Sequence, residues 1–217
     1  MIRVRITFAK TEWLRYIGHL DMHYIFIRTF RRANLAVVHS QGFHPQPKIH
    51  LASALSLGHT GSRELIECWL ADDLSVEEIE GRMKKYSHPG IRIIQVESVP
   101  LKTAPLQVRI DESIYSVIIP DEMVPGLAEK IKNLLDETEI LVERKGKHVN
   151  IRPWIHEMTI LNGDETGIIM RLQSGEGTTG KVDEVLRLLD IDPLDCLVNR
   201  DEIFLKEDPV QESIEAA

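Results

Sequence analysis

Lys10, Tyr16 and His19 lie within ten residues of one another and offer a cation, a phenol and an imidazole. Together they are the acid, base and phosphate stabiliser that metal-independent RNA cleavage requires. No spacing among them enforces that geometry, and His19 reads equally as a local partner of the first helix or of Asp21. Arg28, Arg31 and Arg32 form a second group on a helical stretch. Arg28 and Arg32 stand four residues apart on the solvent face, where like charges repel unless a counter-ion relieves them. A phosphate backbone is one such counter-ion, a carboxylate from elsewhere in the chain the other. The third group is Gln41-Gly42-Phe43-His44-Pro45-Gln46-Pro47-Lys48. Two prolines stiffen it and remove two amide donors. Presented to solvent, Phe43, His44, Gln41 and Lys48 would stack a base and hold its phosphate. Packed inward, Phe43 would plug the core. Further on, Arg152 and Trp154 offer the same choice between base stacking and core packing.

Other chemistries are absent from the sequence. No phosphate loop and no Gly-x-Ser-x-Gly elbow occurs. Two cysteines, Cys68 and Cys196, are too few for a four-thiolate cluster or a Cys-x-x-Cys zinc site. His19 and His23 share a helical face without the glutamate of a zinc-protease motif, so no metal site and no cofactor is expected.

Two sets of elements must position these groups. Arg3 to Ala9 alternates as a strand with Val4, Ile6 and Phe8 on one face. A helix is expected from His19 to Ala33, with Leu20, Tyr24 and Ile27 on one buried flank and Phe26, Phe30 and Ala33 on the next. Strands over Lys48–Leu55 and Arg63–Leu70 flank a Gly58-His59-Thr60-Gly61 turn. Ser75 and Glu78 form a capping box for a helix to Tyr86, and Ile91–Val99 closes the series as a strand. This β-α-β-β-α-β order predicts a ferredoxin-like unit over residues 1–99. Pro100 to Pro105 reads as a linker. Residues 106–209 then give strands at Gln107–Arg109, Tyr115–Ile119, Ile140–Glu143, Ile155–Leu161, Gly167–Gln173 and Ile203–Leu205. Helices are expected from Pro125 to Asp136 and over Val182–Leu189, with a flexible loop at Gly175–Gly180. The fold class expected is α+β, two ferredoxin-like halves with helices on one face of the sheet. Residues 210–217 are expected to form a disordered tail.

The chain has 217 residues and a formal net charge of −8, divided unevenly. Residues 1–99 carry 13 Lys and Arg against 10 Asp and Glu; the remainder carries 13 against 24. Residues 1–60 hold eight basic residues, two acidic ones and six of the nine histidines. Clustered cations focus a field toward a polyanion, whereas the sequence pI of 5.6 argues against indiscriminate nucleic-acid coating. No apolar run is long enough to span a bilayer. The start, Met1-Ile2-Arg3-Val4-Arg5-Ile6, lacks the apolar core of a signal peptide, so a cytoplasmic location without membrane contact is expected.

Several stretches carry a family resemblance: Lys10, Leu14-Arg15-Tyr16-Ile17-Gly18-His19-Leu20-Asp21, Arg28-Thr29-Phe30-Arg31-Arg32-Ala33 and Ser40 to Lys48, with Asn150-Ile151-Arg152-Pro153 as a later anchor. In these the chain resembles the radical-SAM-linked proteins of unknown function, a bacterial family found fused to or beside radical SAM proteins with a B12-binding domain. The resemblance implies a partner rather than the radical enzyme, because a radical SAM cluster needs three closely spaced cysteines. It implies a non-enzymatic accessory protein that binds tRNA or rRNA for an RNA-modifying or ribosome-related system. A protein-docking module for the radical SAM partner is the alternative. The expected architecture is also similar to that of CRISPR repeat-processing endoribonucleases, which keeps the cleavage reading open.

Overall fold

The computed structural model describes residues 1–71, 74–161, 166–175 and 177–206. The expected tail at 210–217, and the last three residues of the expected second half, lie outside them. The chain is a mixed α+β protein built on one large, mostly antiparallel sheet.

The first half runs β1 (Ile2–Lys10), α1 (His19–Arg32), β2 (Ile49–Leu51), β3 (His59–Leu70), α2 (Val76–Tyr86) and β4 (Ile91–Val99). Its strands lie in the order β4-β1-β3-β2, every neighbouring pair antiparallel. The second half adds α3 (Leu106–Arg109), β5 (Ile110–Ile118), α4 (Leu127–Asp136), a β6–β7 hairpin (Leu141–Arg144, Lys147–Asn150), β8 (Ile155–Leu161), β9 (Gly167–Gly175), β10 (Thr178–Thr179), α5 (Val182–Leu188) and β11 (Leu197–Leu205). Its main strands lie in the order β11-β5-β9-β8, again antiparallel. The halves fuse where β11 runs parallel to β3, with Val198 opposite His59 and Arg200 opposite Gly61.

Local chemistry explains the boundaries. Met22, Phe26 and Phe30 recur every four residues and bury one face of α1. The helix ends at Asn34, whose φ of 51° is left-handed. There Asn34 N–H donates to Arg31 O and Leu35 N–H to Phe30 O, the paired bonds of a Schellman stop. Ser75 Oγ accepts from Glu78 N at 3.2 Å, so the capping box starts α2 as its sequence indicates. The β6–β7 turn places Lys145 at φ 53° and Gly146 at φ 73°, the left-handed pair that a two-residue hairpin needs.

Each half has its own apolar cluster, one around Phe8, Phe26, Ile66 and Met83, the other around Val117, Ile168, Met170 and Val185. A smaller cluster of Ala52, Leu65, Leu106, Ile110 and Ile203 lies between them. Leu106 explains one departure from expectation. Residues 107–109 form part of a helical turn rather than a strand, because that turn drives Leu106 fully into this cluster while Gln107 Nε2 donates to Leu51 O at 2.9 Å.

Three other expectations are corrected. The Leu20–Tyr24 flank of α1 faces solvent, because the sheet takes the Met22–Phe26–Phe30 face. Where the sequence predicts a plain flexible loop after β9, Thr178 and Thr179 pair with Gly175 and Ser174. β3 begins at His59 rather than Arg63, its first residues being recruited by β11. Among the described residues no helix is long and apolar enough to cross a membrane.

Candidate functional site

Much of the basic surplus in residues 1–60 is internal. Arg3 is buried on β1, pairs with Glu67, and donates to Thr103 O and, at 2.9 Å, to Ala104 O. The 100–105 segment is thereby tied to the first half. Arg5 bridges Glu67 and Glu97, and Arg15 donates to Gly58 O at 2.6 Å. These arginines hold the fold together.

Arg28, Arg31 and Arg32 are different. All three are exposed and none makes an ion pair among the described residues. They diverge around the end of α1. Arg31 lines a groove with His39 and Pro47, and Arg32 lines one between α1 and α2 with Arg82 and Lys85. Sequence reading missed Arg82 and Lys85; Arg82 pairs with Glu78 at 2.7 Å and donates to Asn34 O at 3.0 Å, whereas Lys85 is exposed. Beyond the Arg31 groove, Ser40 N–H donates to Gln46 O at 2.7 Å and Gln46 N–H to Ser40 Oγ at 3.0 Å. This clasp closes a loop in which Gln41, Phe43 and His44 all stand in solvent and Gly42 takes φ 132°. Phe43 is fully exposed and does not plug the core. Lys48, half-buried, follows the clasp, its backbone bonded to Val38 O.

Trp13, Tyr16, Leu20, Tyr24 and Leu57 are also exposed, Tyr16 at 75%. Leu20, Tyr24 and Arg28 follow one another at four-residue spacing along α1, so an apolar strip runs directly into the arginines.

Lys10 and His19 line one small cavity with Ser53 and Glu64, whereas Tyr16 lies outside it. The proposed three-residue acid–base set is therefore only partly assembled. Lys10 is 3% exposed and donates to Arg15 O at 3.3 Å. Burial pulls its pKa below the ordinary lysine value; Glu64 opposes that shift and Arg200 adds to it. His19 is lowered by desolvation first, then by His23 and Arg200.

Behind Ser53 the cavity borders a larger cleft at the seam of the two halves, about 400 Å³ in volume. Arg200 forms its inner wall, with Nε 2.7 Å from Glu64 Oε1 and Nη1 2.7 Å from Ser53 Oγ. Burial works to lower the Arg200 pKa, but Glu64 and Tyr115 outweigh it and hold it above its ordinary value. Across the cleft His59 Nε2 meets Asp183 Oδ1 at 3.2 Å, and that bond keeps the Asp183 carboxyl below its usual range. Sequence reading singled out none of Glu64, Tyr115, Asp183 and Arg200, because only the β3–β11 pairing brings them together.

Arg152 belongs to neither surface. Its guanidinium donates to Leu135 O, Glu137 O and Ile155 O, closing the C-terminal end of α4. Trp154 packs against the second core with Arg144 over its ring at 5.1 Å. The expected phosphate contact at Arg152 is therefore replaced by a structural one. Among the described residues no group of three or more His, Cys, Asp or Glu side chains is arranged to hold a metal ion.

No curated protein matches the chain. Solved structures similar to it include a chain of an H/ACA ribonucleoprotein bound to a substrate RNA containing 2′-deoxyuridine, at 10% identity and a TM-score of 0.43. That match covers 94% of this chain and 49% of the other, so the chain spans about half of that protein's length. An unknown protein from Galdieria sulphuraria follows at 11% identity, a TM-score of 0.29 and coverage of 95% and 99%. A putative glycine cleavage system transcriptional repressor follows at 8%, 0.27, and 94% and 98%. At these TM-scores none of the three speaks to function. Family-level similarity is firmer: residues 3–182 match the model of an uncharacterized protein family conserved in bacteria, DUF2344, and the chain belongs to that family.

Proposed function

We propose that the chain is a non-enzymatic RNA-binding accessory protein that engages single-stranded RNA along the outer face of α1 and the 41–46 loop. The observation that carries this reading is the set of solvent-facing aromatics together with arginines that have no ion-pair partner among the described residues. Phe43, Tyr24 and Tyr16 offer stacking faces, and Arg28, Arg31 and Arg32 offer cations. This is the combination by which single strands are held: stacking for the bases, charge for the backbone. The bound RNA is tRNA or rRNA, the protein serves a radical SAM RNA-modifying or ribosome-related system, and the location is cytoplasmic. Each half is a ferredoxin-like unit, 1–99 and 106 onward, a reading supported by the strand orders β4-β1-β3-β2 and β11-β5-β9-β8.

Exposed Trp13, Tyr16, Leu20 and Leu57 favour a second reading, a docking face for a radical SAM protein partner. Affinity capture of the tagged chain from its host, with and without ribonuclease, separates the two. RNA recovered in the absence of a stoichiometric protein supports the first. A stoichiometric protein complex that survives ribonuclease, without bound RNA, overturns it.

A further inference from the structure

We infer that the seam cleft binds a small phosphate monoester of mononucleotide size, at a site separate from the RNA-facing side of α1. The cleft's volume of about 400 Å³ lies in the range of sites that enclose small organic ligands. Its polar wall comes from both halves, Ser53 and His59 from the first and Tyr115, Lys181, Asp183 and Arg200 from the second. Four of these six, His59, Tyr115, Asp183 and Arg200, are set by partners or burial before any ligand arrives.

Charge identifies the ligand. Arg200 occupies both oxygens of Glu64, and Arg144 occupies both oxygens of Glu184. Lys181 lies 3.4 Å from Glu184, a carboxylate already neutralised by Arg144, and its side chain remains 56% exposed. Lys10 lines the neighbouring small cavity and, among the described residues, makes one hydrogen bond where an ammonium can make three. Among the described residues that line the cleft, the cations Lys181 and Arg200 stand against one carboxylate, Asp183. Excess positive charge in a partly enclosed space draws an anion. A monoester carries about −1.5 to −2 at neutral pH, and a backbone diester only one negative charge, so the monoester gains more. The same lining suits the organic part of such a ligand. Asp183 accepts and His59 exchanges hydrogen bonds, as sugar hydroxyls require, and Ala54, Leu55 and Val182 give an apolar surface.

The monoester can be a free nucleotide or the phosphorylated end of an RNA. Calorimetric titration of the full chain with 5′-nucleoside monophosphates, the matching nucleosides, inorganic phosphate, and trinucleotides with and without a 5′-phosphate distinguishes these. Saturable one-to-one binding of at least one phosphorylated species is expected. It should weaken about tenfold or more in the matching nucleoside or unphosphorylated trinucleotide, and equally in Lys181→Glu. The double change Arg28→Glu, Arg31→Glu should leave it intact. Preference for the free nucleotide or for the phosphorylated trinucleotide identifies the source. Lys181 sits at the surface, so circular dichroism and Tm of Lys181→Glu should match the parent; if they do not, Lys181→Ala replaces it. The proposal is overturned by an absence of binding at millimolar phosphorylated ligand, by inorganic phosphate binding as tightly as the esters, or by affinity that Lys181→Glu leaves unchanged.

Discussion

Arg200 on β11 and Glu64 on β3 stand 136 residues apart in sequence and face each other across the seam, Nε to Oε1 at 2.7 Å and Nη2 to Oε2 at 2.5 Å. Both are buried, and Gly61, opposite Arg200 in the ladder, makes the pairing possible. A Cβ at position 61 would lie 2.5 Å from Glu64 Oε1, within the space the carboxylate fills. These three residues on two strands thus reinforce the β3–β11 junction, and Arg200 forms the inner wall of the cleft.

Removing one member of this pair strands the other in a dry environment. Arg200→Met is expected to cost about 3–5 kcal/mol, and Arg200→Met with Glu64→Leu appreciably less than the sum of the single changes. Urea denaturation of the three variants checks this; additive costs would show that the two side chains do not act as a pair.

Arg152 gives a contrasting test of a cation with a structural role. Its donors close the α4 terminus against Leu135, Glu137 and Ile155 carbonyls. Arg152→Ala should lower stability by about 1–3 kcal/mol and leave RNA affinity of the folded protein unchanged. A loss of affinity at constant stability would return Arg152 to the binding surface.

Sequence pattern was informative wherever a contact is local. The Ser75–Glu78 box, the Phe26–Phe30–Ala33 flank and the Ile155–Leu161 strand all depend on neighbours within one element. The exposure of Phe43 was one of two readings that its Pro-rich loop allowed. Burial of Arg3 and Lys10 was not visible, because what covers them arrives from elsewhere: the 103–104 backbone over Arg3, residues 53 and 64 around Lys10. Leu20 and Tyr24 matched an amphipathic pattern, yet helical periodicity cannot say which of two adjoining flanks the sheet will take. The seam cleft depends wholly on β3 pairing with β11, a register no local signal encodes.

Lys10 carries a pH signature of defined sign. Its native pKa is lowered by burial, so the folded state binds this proton less tightly than the unfolded chain does. The resulting penalty is complete below the native value and disappears as pH rises toward the ordinary value of about 10.4. Lys10→Met should therefore be more stable than the parent near neutrality, with the difference narrowing as pH rises through that window. Thermal unfolding from pH 7 to 10.5 checks it, and a difference that widens with pH would contradict the assignment.

Phe43 contributes nothing to the core, so Phe43→Ala should leave Tm unchanged. If it stacks a base, the same change weakens single-stranded RNA binding by about 1–3 kcal/mol, measured by fluorescence anisotropy. Unchanged affinity would remove the loop from the interface.

The most direct test of RNA binding along α1 is the salt dependence of that affinity in the parent and in Arg28→Glu, Arg31→Glu and Arg32→Glu. Anisotropy titrations with a labelled single-stranded RNA between low and physiological salt give the slope of log affinity against log salt. Each lost phosphate contact should flatten that slope by about 0.7–1 and weaken binding, with Tm scarcely moved because these side chains are at the surface. Absence of binding at low salt, or slopes unchanged by all three reversals, would contradict the account.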